Sequence, residues 1–183
     1  MSALALISCN NNEPQATIEG KVTEATGKML YLDALGVDKV TVADSVKLKE
    51  DGTFRFHVPC PECYDFYRLR IERELINLSI DSTETIQVSA TYPTMSIAYQ
   101  VEGSDDNLRL KDLVLKQIEL QNAVKAAMPC QRVGVAVLGM EVPHAHIHLV
   151  PLQKESDLLF TNPKKQLTPE QFIAIAEKIK ANL

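Results

Sequence analysis

The 183-residue chain lacks both an excess of positive charge and a long apolar run. It has 19 Lys and Arg against 24 Asp and Glu, which gives a formal net charge of −5. Broad nucleic-acid binding needs a basic face and is therefore excluded, whereas a single mononucleotide needs only local donors. No apolar run approaches the roughly 18 residues of a membrane-spanning helix. Glycine and proline are few, at 7 and 9, and the composition is typical of a globular protein.

Cysteine is too sparse for a disulfide scaffold, since the chain has four. Cys60 and Cys63 form an isolated C-x-x-C motif between two strand-like runs. No helix is predicted after this motif, so the helix N-terminus that stabilises a redox-active thiolate is missing. We interpret the motif as a loop pair, with a redox role or half of a zinc site as the alternatives.

The N-terminus contains a pattern that resembles a bacterial lipoprotein signal. Leu6-Ile7-Ser8-Cys9 matches the Leu-x-small-Cys pattern that is cleaved before a lipidated cysteine, and a polar run begins directly after it. No Lys or Arg precedes the apolar part, so the usual charged leader is absent from the given sequence. We interpret residues 1–14 as a signal remnant and tether with lipidation at Cys9. The alternative is an N-terminus with a buried cysteine.

The pattern of the chain changes near residue 103. Residues 15–103 alternate apolar and polar side chains in short runs between turn signals, which predicts an antiparallel β-sandwich or open barrel. Residues 104–128 have apolar side chains near helical spacing and predict a linking helix. Residues 129–183 predict two strands and a final helix, so the end of the chain forms a helix-strand-strand-helix unit. The predicted fold class is α+β.

Two local patterns give more specific expectations. Tyr64, Phe66 and Tyr67 form an aromatic cluster that we expect to pack in the core of the β domain. Near the C-terminus, Thr168 and Gln171 have the spacing of a capping box, which predicts the start of the last helix.

The front of the chain has several segments that match a known family in order, among them Asp51-Gly52-Thr53-Phe54 and Ile80-Asp81-Ser82-Thr83-Glu84. They resemble the small β domain of unknown function at the front of many Bacteroidetes envelope lipoproteins, over about residues 13–122. A thioredoxin-like domain usually follows in that family. No Cys-x-x-Cys lies downstream of residue 103, so we expect that domain to be absent. The resemblance implies a lipid-anchored envelope module with a binding or spacer role.

Three of the four histidines occupy alternate positions in the stretch VPHAHIHLVP, residues 142–151. Alternate side chains of an extended strand share one face, so His144, His146 and His148 are predicted to point the same way. Ala145, Ile147 and Leu149 are predicted to face a core on the other side. One neutral imidazole can attack phosphorus while its neighbours donate protons and orient it, which indicates phosphoryl chemistry.

The same stretch, with its preceding Gly139 turn and following helix, resembles the C-terminal half of histidine-triad (HIT) nucleotide hydrolases and transferases, over about residues 123–183. The resemblance implies that His146 is the nucleophile, which forms a nucleotidyl-histidine intermediate. It also implies that His148 contacts the phosphate, that His144 protonates or orients the leaving group, and that Gly139 lies beside the α-phosphate. The implied substrate is a purine nucleotide or nucleoside phosphoramidate, and no cofactor or metal is implied.

The N-terminal half of a histidine-triad protein has no counterpart in the sequence. No segment of the type Gly-His-x-Leu-Val-x-Pro is present, and His57 lies in an ordinary strand-like run. We therefore expect the nucleoside-binding half to be missing or replaced and the activity to be weakened or lost. The two segments that resemble known families join within one helix, near residues 121–123. We interpret the chain as a chimera of two proteins. Its triad half would expose a sheet edge and form a homodimer, dock on the β domain or stay loosely folded.

Two other interpretations of the histidines stay open. A His-x-His pair on a strand can hold zinc, and Cys60 and Cys63 would complete a mixed site. Alternatively, the three histidines are structural and share a strand face by chance. The expected location is the bacterial cell envelope if Cys9 is lipidated and the cytoplasm otherwise, with membrane contact only through that anchor.

Overall fold

The computed structural model describes residues 14–62, 64–138 and 146–183. The chain divides into two compact units, the first ending at Asp112 and the second beginning at Leu113. Neither of the α-helices in these described segments combines the length and the hydropathy that a bilayer span requires.

The described part of the first unit contains two four-stranded sheets. Its strands are β1 (Gln15–Thr23), β2 (Met29–Leu35), β3 (Val40–Lys47), β4 (Thr53–Pro59), β5 (Asp65–Ile71), β6 (Glu74–Ile80), β7 (Thr85–Thr91) and β8 (Tyr99–Glu102). One sheet has the order β4-β1-β7-β8 and the other has the order β3-β2-β5-β6.

Apolar and polar side chains alternate along most of these strands, and the apolar side faces inward. In β4, for example, Phe54, Phe56 and Val58 are buried, whereas the residues between them are exposed. The buried faces of both sheets merge into a single apolar core that draws residues from β1, β2 and β4 to β8. A β-sandwich-like domain within an α+β protein is therefore confirmed.

The strand directions differ from the prediction, because the sheets are not wholly antiparallel. β1 lies between β4 and β7 and runs parallel to β7, with Thr17 opposite Thr85. A crossover through the second sheet separates these two strands, and local turn signals do not reveal such distant pairing. The close approach of β1 to β7 requires Gly20, because a Cβ at this position would overlap the backbone carbonyl of Val88.

The predicted aromatic cluster is also only partly correct. Tyr67 is buried in the core, but Phe66 is 48% exposed. Phe66 is adjacent to Tyr67 in β5, so the two side chains must lie on opposite faces of the sheet. Tyr64 is exposed as well and donates a hydrogen bond from its hydroxyl group to Asp106, at 3.1 Å.

The outer face of the second sheet carries a charged cluster around Asp33. The carboxylate is 2% exposed and accepts hydrogen bonds from Arg70 Nε at 2.7 Å and Arg70 Nη2 at 3.0 Å. Arg68 adds a longer contact at 3.3 Å. The hydrogen bonds from Arg70 hold the pKa of Asp33 below its usual value. This bidentate ion pair links the neighbouring antiparallel strands β2 and β5.

Helix α1 (Asp105–Ala127) is attached to the sandwich through one buried asparagine. Asn107 Oδ1 accepts a hydrogen bond from the Ser79 N–H at 2.9 Å, and Asn107 Nδ2 donates to the Ser79 carbonyl at 2.7 Å. Nδ2 also donates to Ser104 Oγ at 2.9 Å. β6 is an edge strand, so the Asn107 side chain satisfies backbone groups that no neighbouring strand reaches.

The second unit contains the remainder of α1, an antiparallel hairpin and a short final helix. The hairpin strands are β9 (Arg132–Leu138) and β10 (His146–Leu152), and a 3₁₀ turn follows at Glu155–Leu158. Helix α2 (Pro169–Lys180) starts with the predicted capping box. The Gln171 N–H donates to Thr168 Oγ1, and the Thr168 N–H donates to Gln171 Oε1.

The second unit buries few apolar side chains. Among its described hydrophobic residues, Ala123 and Val133 are buried, whereas Val137 is 64% exposed and Leu113 is 53% exposed. Helix α2 buries no residue. The prediction that Ile147 faces a core is wrong, since this side chain is exposed. A two-stranded hairpin has too little surface to cover both of its own faces.

Replacement of Asn107 by alanine is expected to lower the free energy of unfolding of the sandwich by about 2–3 kcal/mol, because it leaves the Ser79 N–H and carbonyl buried without partners. Urea denaturation followed by circular dichroism measures this change. The matched control is Asn122→Ala, since Asn122 is exposed on the same helix. Equal effects of the two substitutions would contradict the role given to Asn107.

Candidate functional site

The β9–β10 hairpin places two of the predicted triad histidines side by side. His146 lies opposite Leu138 and His148 lies opposite Ala136 in the antiparallel register. The two imidazole rings have centroids 4.9 Å apart in an edge-to-face arrangement. Alternation along β10 therefore brings these two histidines together, as the sequence predicts. His144 and Gly139 lie outside the described residues.

His148 has a buried nitrogen without a protein partner among the described residues. Its Nε2 atom is buried and has no hydrogen-bond partner within the described segments. The ring packs edge-to-face against Phe160, with centroids 5.0 Å apart. A buried polar atom without a partner costs free energy, so a ligand that bonds to Nε2 would recover that cost.

A cavity of about 380 Å³ lies beside His148 and also contacts Phe160 and Lys164. Lys164 Nζ donates to the Phe160 carbonyl at 2.9 Å and lies 5.4 Å from the centre of the Phe160 ring. An imidazole, an ammonium group and an aromatic ring thus line one small space. These groups could hold a small anion such as a phosphate. Sequence reasoning missed Phe160 and Lys164, because they come from the loop after the 3₁₀ turn.

Asp157 lines the same cavity and limits its positive charge. Its Oδ2 atom accepts backbone hydrogen bonds from Gln153 at 2.9 Å and Lys154 at 3.1 Å. The hydrogen bond from Gln153, and after it that from Lys154, holds the pKa of Asp157 below its usual value. The group is therefore a carboxylate at neutral pH. The carboxylate would oppose a phosphate placed deep in the cavity.

A larger concavity of about 630 Å³ lies on the sandwich and is lined by residues of both charges. Arg55 is paired with Glu19 at 2.7 Å. Lys47 and Lys49 add two further ammonium groups, and Asp51 accepts a backbone hydrogen bond. The lining residues come from several distant segments of the chain, so no short sequence motif predicts this concavity. This surface is a candidate for binding polar or charged molecules.

The zinc interpretation receives no geometric support from the described segments, where no three His, Cys, Asp or Glu side chains form a group that could hold a metal ion. Cys63 is not among these residues. Cys60 follows β4, and its N–H donates to the Pro14 carbonyl at 2.8 Å. A strand, β5, comes next instead of a helix, as expected for a loop pair.

The fold and the site define a β-sandwich protein of the α+β class that carries a histidine-bearing hairpin in a separate unit. The chain belongs to the family described as domain of unknown function DUF4369, whose sequence profile matches residues 16–110. This match confirms, at the level of the domain family, the resemblance predicted for the front of the chain. It spans the sandwich, ends in the first turns of α1 and does not include the hairpin.

Part of the chain is also similar to a solved structure, the crystal structure of (S)-allantoin synthase. The identity is 8% and the TM-score is 0.36, over 51% of this chain and 45% of that chain. The chain thus covers less than half of the length of that protein. A similarity at this level carries no argument about the function of the chain.

Proposed function

We propose that the protein is a lipid-anchored module of the bacterial cell envelope whose β-sandwich has a binding or spacer role. The family match over residues 16–110 carries this proposal. The matched part contains a continuous apolar core and therefore has the burial that an independent domain needs. A module of this kind can fold and work without the hairpin unit.

The arrangement of the chain around the sandwich supports the same proposal. Cys9 follows the lipoprotein-like Leu6-Ile7-Ser8, and a polar stretch of residues 10–14 separates it from β1. A lipidated Cys9 would hold the sandwich at the membrane surface through this tether. The charged concavity around Arg55 and Lys49 would then be the surface available to polar ligands.

Lipidation at Cys9 is tested by expressing the full chain in a bacterial host that is fed an alkyne-tagged fatty acid. The wild-type protein is expected to carry the label and to sediment with membranes, because acyl chains bind bilayers with about 0.8 kcal/mol per buried CH₂ group. Cys9→Ser is expected to lose both properties, while the matched control Cys60→Ser keeps them. An unlabelled wild-type protein would refute the lipid anchor.

We propose a second candidate function, a weak nucleotidyl-transfer activity of the histidine-triad type, because His146 and His148 are adjacent and His148 Nε2 faces no protein partner in the described segments. In this proposal a nitrogen of His146 attacks the α-phosphorus of a purine nucleoside phosphoramidate. The P–N bond breaks, and the amine leaves with a proton supplied at His144. Water then cleaves the nucleotidyl-histidine bond and releases the nucleotide.

The roles of the other residues follow from the same proposal. His148 would contact a phosphate oxygen, with the Lys164 ammonium group in the cavity beside it. Gly139 would lie beside the α-phosphate. The reaction uses imidazole and water alone and requires no cofactor.

Hydrolysis of adenosine 5′-phosphoramidate, followed by ³¹P NMR, tests this activity. The wild-type protein is expected to turn the substrate over slowly, and His146→Ala is expected to lower the rate by more than about a hundredfold, because it removes the nucleophile. His57→Ala is the matched control, since His57 lies on β4 in the first unit. No turnover and no covalent nucleotide on the wild-type protein would rule the activity out.

A further inference from the structure

We propose that the second unit binds a small amphiphile with an acidic head group, of the fatty-acid class, in a groove between α1 and the β9–β10 hairpin. The groove has a volume of about 490 Å³. We call it the apolar groove. Its walls are Leu113 and Leu120 on the helix and Val137, Ile147 and Leu149 on the hairpin.

The hairpin register explains why these side chains form one wall. Val137 lies opposite Ile147, so the two share a face of the hairpin. Val137 is 64% exposed and Leu113 is 53% exposed, although both line a concave space. Water in contact with these walls is unfavourable, and an alkyl chain would displace it.

Two of the polar groups that line the apolar groove, Lys116 and Gln117, can donate hydrogen bonds to a carboxylate. His146 is the third polar group, and no acidic side chain is among the described residues that line the groove. Lys116 Nζ is paired with Glu119 at 2.8 Å, with both side chains well exposed. An exposed pair of this kind contributes little, so the ammonium group can turn to a bound carboxylate at small cost.

The volume of about 490 Å³ lies in the range of small-molecule sites, which combine apolar walls with a few polar groups. A single-chain carboxylate fits both features. This site is separate from the lipid anchor, and it shares His146 with the nucleotidyl chemistry proposed above.

Isothermal titration calorimetry of the full chain with sodium decanoate, below its micelle-forming concentration, tests this site. Saturable binding of one molecule per chain is expected. Val137→Asp is expected to weaken binding by at least about tenfold, because it places a carboxylate in the apolar wall beside the ligand. Ile173→Asp is the matched control, since Ile173 is an exposed apolar residue on α2 that does not line the apolar groove.

The role of the rim charge is tested separately with an exposed helix position that does not endanger the fold. Lys116→Gln is expected to weaken decanoate binding several-fold and to leave the binding of decan-1-ol unchanged. The proposal is overturned if decanoate does not saturate, if Ile173→Asp weakens it as much as Val137→Asp, or if decyltrimethylammonium binds as tightly as decanoate.

Discussion

Burial of apolar side chains between two four-stranded sheets is the interaction on which the rest of the protein depends. The residues at the centre of this core, such as Ile18, Leu32 and Phe56, are almost fully removed from water. They hold β1 in a position where it pairs with β4 on one side and β7 on the other. The same core fixes β6, and β6 in turn presents Ser79 to the Asn107 side chain at the start of α1.

The described residues of the second unit form no comparable apolar core. Its hairpin exposes Val137 and Ile147, and its final helix buries no residue, although the sequence gives that helix a sound capping box. The capping box thus determines where helix α2 begins, but it supplies no apolar surface against which the helix can pack. This contrast agrees with a family match that covers the sandwich and stops before the hairpin. It also explains why an apolar groove stays open within this unit.

Local features of the protein could be predicted from sequence, and long-range features could not. The β9 strand, the Thr168 cap and the shared face of His146 and His148 all follow from spacing over a few residues. The parallel pairing of β1 with β7 depends on contacts between distant segments, which alternation does not specify. For the same reason, the ring of Phe160 beside His148 was not foreseen, since a loop carries it there.

The sandwich is thus expected to be a stable domain, whereas the described residues of the hairpin unit form no core of their own. Hydrogen exchange of the full chain, without added ligand and resolved along the sequence by mass spectrometry, tests this claim most directly. Amides of β1, β5 and β7 are predicted to exchange only through global unfolding of the sandwich, and those of β9 and β10 to exchange much faster. Equal protection of the hairpin and the sandwich would contradict the account.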